Sequence, residues 1–333
     1  MPKIFKYFKY IFFIFFILFF LNSAFAIPKI DMKKNAFQES SQRGDKKKIR
    51  FIVNPISGTN NKKFILKIIH KYLDKNKYDY EIVYTKARKH ATKLSLDAAN
   101  LKYAAVIAIG GDGTVNEVAK GLIGSKTKMG IIPTGSGNGL ARHLYISKNP
   151  LKAVNIINNF RSTKMDSIKI NNEIFVSVAG IGFDAHIAEK FSKAKKRGFF
   201  SYANLILKEY FSYKPKTFEM IVDGKKVERK ALLISFANGS QYGNNIQIAP
   251  NARIGDGNFE VAILKNPSFF DRFSTLLRLK NGTIDKSKYF ESFKCRSLKI
   301  DQKNLLAHID GEPVVFENGI EIKPFKKISV LVP

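Results

Sequence analysis

Apolar runs of strand length alternate with amphipathic helical segments through the first half of this chain. The predicted strands cover 49–53, 80–84, 104–109 and 130–132, and the predicted helices cover 63–73, 92–100 and 116–122. In the first helix, the apolar residues Phe64, Ile65, Ile68 and Ile69 recur at helical spacing. Alternation of strand and helix is typical of a parallel sheet with helices on both faces.

The pattern changes after about residue 166, where short strands follow one another with a helix or two inserted. The predicted strands there cover 168–170, 174–178, 219–222, 231–237, 259–264, 298–300 and 314–316. Turn-forming pairs lie between them at Asn171-Asn172, Asp223-Gly224 and Asn318-Gly319. We therefore predict an α/β plus all-β fold: an N-terminal parallel-sheet α/β domain, then a mainly antiparallel β-sandwich-like domain, with a cleft between them.

Glycine-rich polar segments follow three of the predicted parallel strands. They are Asn54-Pro55-Ile56-Ser57-Gly58, Gly110-Gly111-Asp112-Gly113-Thr114 and Pro133-Thr134-Gly135-Ser136-Gly137-Asn138. Glycine lets the backbone approach a ligand closely, and backbone N–H groups at a strand end or helix start suit a phosphate. The carboxyl ends of parallel strands share one sheet edge, so we expect the loops to converge on a nucleotide phosphate. The alternative for the second segment is a tight turn in which Asp112 caps the next helix.

The net charge and the cysteine content limit which classes of partner and site are possible. The net charge is +30, which fits nucleic acid, an anionic membrane surface or a lysine-rich composition bias. Nucleic-acid binding would require a recognisable module or stacking motif, and none is found, so we favour the membrane surface. The single cysteine, Cys295, excludes an intrachain disulfide and is expected to be a buried structural residue. The histidines show no metal-ligand spacing.

Basic residues stand beside aromatic and aliphatic ones in two stretches, 190–216 and 269–280. Such sequences suit helices that lie on a membrane surface. An amphipathic helix packed on the core of the second domain is an equally good interpretation of either stretch.

The motifs together resemble the catalytic domain of the diacylglycerol kinase family, which includes sphingosine kinases, ceramide kinases and soluble bacterial lipid kinases. The matching segments are 54–58, 110–116, 133–138, 180–185 (Gly-Ile-Gly-Phe-Asp-Ala), Asp256-Gly257 and Asp310-Gly311-Glu312. They occur in family order over nearly the whole chain after residue 48. Gly-Gly-Asp-Gly-Thr is the most diagnostic of them, and NAD kinases share it.

The resemblance implies how a nucleotide and a cation would be held. ATP would lie along the carboxyl edge of the first domain. Its expected contacts are Asn54, Pro55, Ser57, Gly58, Thr85, Gly110, Gly111, Asp112, Gly113, Thr114, Asn116 and Ser136. The chain has no Gly-Lys-Ser/Thr element, so we expect backbone amides and hydroxyls to position the phosphates. A structural Mg²⁺ would bind Asp256, with the carbonyls of Arg253 and Asn258.

The resemblance also implies catalytic and lipid-binding roles. Glu312 matches the acid that takes the proton from the lipid hydroxyl, Asp112 is the second candidate for that base, and Asp184 matches a contact to the lipid headgroup. The expected reaction is ATP-dependent phosphorylation of diacylglycerol to phosphatidic acid. Gly-Ser-Gly-Asn at 135–138 differs from the Gly-Thr-x-Asn-Asp of many glycerolipid kinases, so a sphingoid base or ceramide is the alternative substrate.

Two alternative functions receive less support from the sequence. An NAD kinase would share the Gly-Gly-Asp-Gly segment, but the Asn54-Pro55 start and Asp256-Gly257 fit lipid kinases better. An inactive membrane-binding homologue would have no chemical reason to retain Asp112, Asp256 and Glu312 together. The expected partners are ATP, the lipid substrate and an anionic membrane surface, not nucleic acid, and a homodimer is left open.

The predicted organisation begins with a hydrophobic segment at 1–26 and a linker at 27–48. An ATP-binding α/β domain at 49–165 and a β-rich lipid-binding domain at 166–317 follow, and residues from about 318 to 333 are free to return to the first domain. The N-terminal segment is patterned like a secretory signal or an anchor. Because the enzyme needs cytosolic ATP, we expect a cytoplasmic domain, peripheral or anchored at the inner face of the membrane. A translation start at Met32 is the other alternative.

Overall fold

A computed structural model describes residues 46–58, 61–194, 199–210 and 212–333, apart from the side chains of 199–203 and 207. The predicted hydrophobic segment and most of the predicted linker lie outside these residues. The description below concerns the compact unit that starts at residue 45.

The first half of this unit alternates strand and helix, as the sequence predicts. Its strands are β1 (Lys47–Val53), β2 (Tyr78–Tyr84), β3 (Ala105–Gly110) and β4 (Lys128–Pro133). Its helices are α1 (Lys62–Tyr72), α2 (His90–Asn100), α3 (Asp112–Leu122), α4 (Gly139–His143) and α5 (Pro150–Asn159). The strands run parallel in the order β2-β1-β3-β4. β3 is buried along its whole length and is a continuous apolar run, whereas β1 is buried from Ile49 onward and its apolar residues are interrupted by Arg50.

The second half is mainly antiparallel. Its strands are β5 (Ser162–Ile170), β6 (Glu173–Phe175), β7 (Val178–Gly182), β8 (Lys216–Val222), β9 (Lys225–Ala231), β10 (Leu233–Ala237), β11 (Gln241–Gly243), β12 (Ile246–Gln247), β13 (Phe259–Leu264), β14 (Phe290–Cys295), β15 (Leu298–Ile309) and β16 (Glu312–Leu331). Its helices are α6 (Phe183–Ser192), α7 (Phe199–Tyr210), α8 (Asp271–Asn281) and a 3₁₀ turn at Ile284–Lys286. The predicted fold class is confirmed.

One strand, β16, joins the two halves. It pairs antiparallel with β15 and β5 and parallel with β4, where Val330 faces Met129. The main sheet is therefore continuous in the order β14-β13-β10-β7-β15-β16-β4-β3-β1-β2. Ile328, Val330 and Leu331 are buried in the core of the first half, whereas Ile320 and Ile322 belong to the core of the second.

Several predicted boundaries in the second half are wrong. The predicted strand 174–178 is two strands, β6 and β7, because the N–H groups of Val176 and Ser177 donate to the carboxylate of Asp310 instead of a ladder partner. The predicted turn at Asn318-Gly319 lies inside β16. The register of β15 against β16 shifts there, and Gly319 has φ +78°. One long bulged strand thus replaces the predicted short strand 314–316 and the predicted turn after it.

Candidate active site

The three glycine-rich segments meet at the carboxyl ends of β1, β3 and β4, as predicted. The Asn54 side-chain amide donates to Thr114 Oγ1 at 3.0 Å, which ties the first segment to the second. Ser57 Oγ lies 3.4 Å from Thr134 Oγ1, which ties the first to the third. Thr85 joins them at the end of β2, because its N–H donates to the carbonyl of Val53 at 2.9 Å.

Glycine is required where the second and third segments touch. A Cβ on Gly135 would lie 2.7 Å from Gly111 Cα, and a Cβ on Gly111 would lie 3.4 Å from Gly135 Cα. A side chain at Gly135 would force the loops apart, whereas a Cβ at Gly111 would be in ordinary van der Waals contact. The close contact of the loops brings two stretches of backbone to one place at the sheet edge, which is the arrangement a phosphate site needs.

Helix α3 begins inside the Gly-Gly-Asp-Gly-Thr segment. We predicted a start at Asn116, but the helix starts at Asp112, with Gly111 as an N-cap that offers no side-chain hydrogen bond. The positive end of the helix dipole therefore lies at the glycines themselves. An N-terminus without a side-chain cap leaves N–H groups for an anion, which supports the predicted phosphate site.

Asp112 joins the second segment to the third and does not cap α3. Its carboxylate accepts the N–H of Asn138 at 2.8 Å and the N–H of Gly139 at 2.7 Å. Burial raises the pKa of Asp112, against the opposing effect of these two hydrogen bonds. Since both oxygens are engaged, the structure presents this side chain as an anchor of the loop at 135–138.

Asp310 has a similar anchoring role that the sequence did not reveal. Its carboxylate accepts the N–H groups of Val176 at 3.1 Å, Ser177 at 3.0 Å and Val178 at 2.9 Å. It also accepts the side-chain amide of Asn116 at 2.5 Å. Asn116 was predicted to bind ATP, but here it connects α3 to the second half of the unit. Four donors on one buried carboxylate make this a rigid junction.

Glu312, two residues later, is exposed at the mouth of the same edge. A Cβ on Gly113 would lie 3.9 Å from Glu312 Oε1, so the carboxylate lies beside the start of α3. Its other oxygen accepts a hydrogen bond from Arg88 Nη2 at 2.8 Å. Of the two acids considered as the base, Glu312 is the accessible one.

The predicted lipid contact, Asp184, lies in a buried polar cluster. Its Oδ2 receives hydrogen bonds from Tyr242 Oη at 2.8 Å, Ser235 Oγ at 3.2 Å and His308 Nε2 at 3.1 Å. The other nitrogen of His308 accepts the N–H of Gly311 at 3.3 Å. Asp184 is therefore connected through one imidazole to the turn that carries Glu312.

The predicted metal loop has a carboxylate that is already paired. Asp256 Oδ2 accepts a hydrogen bond from Lys294 Nζ at 2.5 Å. Burial by itself would raise the pKa of Asp256, but this ammonium and the N–H of Asn258 lower it overall. Glu260 lines the same recess as Asp256, Asn258 and Lys294, and its Oε2 is buried with no hydrogen-bond partner among the described residues.

The oxygen atoms in this recess provide only part of what a hard cation needs. Within the described ranges there is no cluster of three or more His, Cys, Asp or Glu side chains arranged for a metal. A cation here would depend on the Asp256 carboxylate and on backbone carbonyls such as those of Arg253 and Asn258. The unpartnered oxygen of Glu260 adds a nearby acceptor that the sequence analysis did not identify.

The other residues that the sequence singled out are found in the following positions. Pro55 and Ser136 are exposed on their loops, and Gly58 packs against the carbonyl of Thr134. Cys295 is buried, as predicted, and burial raises its pKa to about 12. In the part of the chain that the structure describes, no helix is long and apolar enough to cross a membrane.

The two basic and aromatic stretches contain helices. The first includes the end of α6 and α7, and residues 195–198 of it are not described. In the second, Thr275 and Leu279 of α8 are buried, which favours packing on the core. Phe270, directly before α8, is 87% exposed and forms an edge-to-face pair with Phe269.

Comparisons with known proteins show similarity to diacylglycerol kinases along most of the chain. The model of the diacylglycerol kinase catalytic domain matches residues 48–170, and the model of the YegS C-terminal NAD kinase beta sandwich-like domain matches 177–324. Among curated relatives, a diacylglycerol kinase of Bacillus subtilis (strain 168) is 26% identical over 86% of this chain and 97% of its own. A diacylglycerol kinase of Staphylococcus aureus (strain bovine RF122 / ET3-1) is 28% identical over 80% of this chain and 86% of its own.

One solved structure shows the shared fold. A diacylglycerol kinase from Bacillus anthracis str. Sterne superimposes with a TM-score of 0.66 at 21% identity, over 87% of this chain and 98% of that one.

Proposed function

This chain belongs to the diacylglycerol kinase catalytic-domain family and is a lipid kinase, and we propose that it phosphorylates diacylglycerol to phosphatidic acid. One observation carries the proposal. The exposed carboxylate of Glu312 lies beside Gly113, at the edge where the three glycine-rich segments converge. A base next to a nucleotide phosphate is what transfer to an alcohol requires.

The residues would divide the reaction between them. The loops at 54–58, 110–114 and 134–138 would hold the phosphates of ATP, and Asp112 would keep the third loop in place. Glu312 would accept the proton of the lipid hydroxyl while the hydroxyl oxygen forms a bond to the γ-phosphorus of ATP. The bond between the γ-phosphorus and the oxygen that bridges it to the β-phosphate would break. ADP and a phosphomonoester would leave.

Asp184 would orient the lipid headgroup near this base. Its cluster with Tyr242, Ser235 and His308 is buried and charged, and His308 contacts the N–H of Gly311 beside Glu312. A hydroxyl group bound at Asp184 would therefore be close to the turn that carries the base. Such a contact would distinguish the site from one that binds only a nucleotide.

Mg²⁺ would neutralise charge on the transferring phosphates and, at Asp256, would stabilise the loop at 253–258. The carboxylate of Asp256 and the nearby Glu260 oxygen are consistent with a cation there. We further propose that the protein works at the inner face of the cytoplasmic membrane, since its substrate is a membrane lipid and its net charge is +30.

A sphingoid base or ceramide is the second candidate substrate, because the loop at 135–138 reads Gly-Ser-Gly-Asn. Purified protein, labelled ATP and mixed micelles of diacylglycerol, sphingosine or ceramide distinguish the candidates. Phosphatidic acid as the main labelled product supports the proposal. Preferential labelling of sphingosine or ceramide would reassign the substrate, and no labelled lipid in any micelle would contradict the proposed activity.

A further inference from the structure

Lys62 is a cation that touches two of the three phosphate loops. It is the first residue of α1, and its Nζ donates to the carbonyl of Ser57 at 2.6 Å and to Thr134 Oγ1 at 2.7 Å. Ser57 belongs to the first loop and Thr134 to the third. A single ammonium group therefore links the loops at the place where they come together, and two of its three N–H donors are used in doing so.

The charge of Lys62 is not compensated. Both partners are neutral oxygens, and none of the carboxylates that the structure describes forms an ion pair with this ammonium. Partial burial lowers the pKa of Lys62. The first turn of α1 contains no acidic residue, so the cation also faces the positive end of its own helix dipole. Each of these features is unfavourable unless an anion binds there.

Two other cations bracket the third loop in the same way. Lys148 Nζ donates to the carbonyl of Ser136 at 3.2 Å, and Arg142 Nε donates to the carbonyl of Gly137 at 3.0 Å. Burial lowers the pKa of both groups. Arg142 and Lys148 thus contact carbonyl oxygens of the loop at 134–138, while the Asp112 carboxylate holds the end of the loop.

We propose that the third N–H of Lys62 binds a phosphate oxygen of ATP, so that this residue supplies the positive charge that a P-loop lysine supplies elsewhere. The inference rests on the proposed use of ATP. It also changes the expectation that backbone amides and hydroxyls position the phosphates alone. Lys62 lies only eight residues after Asn54, but the segment does not match the Gly-x-x-x-x-Gly-Lys-Ser/Thr motif, so contacts rather than sequence identify it.

The test compares Lys62→Met with Lys62→Arg and with Lys63→Met, a matched control at the neighbouring exposed lysine. Binding of ATP and of adenosine is measured by displacement of a fluorescent ATP analogue, without lipid, together with melting temperatures. We expect Lys62→Met to weaken ATP binding by about ten- to a hundredfold, the usual effect of losing a charged hydrogen bond. Adenosine binding should be unchanged, Lys62→Arg should retain part of the ATP affinity, and Lys63→Met should behave as wild type.

Two results would overturn the inference. One is unchanged ATP affinity in Lys62→Met. The other is a lower melting temperature without nucleotide combined with a full ATP-induced rise, which would make Lys62 a structural link between loops. The proposed lipid kinase activity fails separately, if the wild type binds ATP but labels no lipid. In that case a selective loss of ATP affinity in Lys62→Met would still support the phosphate contact.

Discussion

Arg88 Nη2 and Glu312 Oε2 are 2.8 Å apart, although 224 positions separate the two residues in the chain. Arg88 follows β2, and Glu312 begins β16, so the pair spans the mouth of the site. The Arg88 side chain is 82% exposed and that of Glu312 is 56% exposed. Exposed pairs contribute at most about 1 kcal/mol. The contact therefore orients the Glu312 carboxylate far more than it stabilises the fold.

Glu312→Gln should abolish most turnover and leave ATP binding nearly unchanged. The amide has the same shape but cannot accept the hydroxyl proton, so we expect kcat to fall by about 10²–10⁴. Lipid phosphorylation at saturating ATP measures kcat, and titration with a fluorescent ATP analogue measures binding. A variant with a wild-type rate would remove Glu312 from the mechanism and favour Asp112 as the base.

Asp310→Ala should destabilise the protein strongly, whereas Glu312→Gln should have almost no effect on stability. The substitution leaves the buried N–H groups of residues 176–178 without an acceptor and removes one of the two hydrogen bonds of the Asn116 amide, which keeps its bond to the carbonyl of Ile174. We expect a loss of about 2–5 kcal/mol in the free energy of unfolding. Urea denaturation is the measurement, and Glu312→Gln is the matched control, with an expected change within about 0.5 kcal/mol. Equal stability of the two variants would refute the assignment of Asp310 as the junction.

Gly135→Ala should reduce nucleotide affinity, because the new Cβ would lie 2.7 Å from Gly111 Cα and separate the two loops. The control is Gly224→Ala in the β8–β9 turn, where φ is +82° and a Cβ meets no atom within 4 Å. That variant should lose about 1 kcal/mol of stability through backbone strain and bind ATP normally. Calorimetric titration with ATP compares them, and normal affinity in Gly135→Ala would show that the loops need not touch.

Three strands of the parallel half, β1, β3 and β4, can be predicted from sequence because most of their residues are buried. Their mainly apolar segments are short and end at or near glycine or proline, so the sequence places them to within a few residues. The convergence of the three loops followed from topology alone, since β1, β3 and β4 are neighbours. Helix α5 was missed, although Asn149-Pro150 is a good helix start and the Asn149 side chain caps it.

The remaining features of the fold and of the site could not be predicted, because they depend on contacts between residues far apart in the chain. Nothing local in the segment 174–178 shows that Asp310 will take its N–H groups and split the strand. The same holds for Lys62 and Arg88, which are ordinary lysine and arginine until folding places them at the site. Glu260 lies within an apolar strand, and only its burial beside Asp256 draws attention to its carboxylate.

Asp256→Ala should remove a stabilisation by Mg²⁺ that the wild type shows without nucleotide. A cation that binds only the folded state raises the melting temperature, and the variant lacks the one side-chain ligand proposed for it. Melting curves with Mg²⁺ and with EDTA measure the difference. Asp301→Ala is the control, because Asp301 forms an exposed pair with Lys299 away from this recess. If Mg²⁺ shifts the melting of wild type and Asp256→Ala equally, the metal assignment is wrong.

Binding to lipid vesicles should depend on both charge and one aromatic side chain. Each Lys or Arg close to an anionic surface adds about 1 kcal/mol of attraction, and salt screens it over about 10 Å at 0.1 M. Lys193, Lys195, Lys196 and Arg197 form a cluster of basic residues in the sequence. Changing all four to Gln should therefore reduce the fraction of protein that sediments with anionic vesicles at low salt. Residues 195–197 of this cluster lie outside the described residues. Phe270→Ser should weaken binding at high salt as well, because an exposed ring adds apolar area that salt does not screen.

The vesicle test uses the chain from Met32, which lacks the hydrophobic segment at 1–26 and keeps both domain matches. Any binding that remains does not depend on the hydrophobic segment. Tyr145→Ser is the matched control for Phe270→Ser, because this residue is equally exposed but lies next to α4 in the first half of the unit. If all these proteins bind neutral and anionic vesicles alike, the net charge of +30 carries no targeting information. Composition bias would then be the better explanation of the lysines.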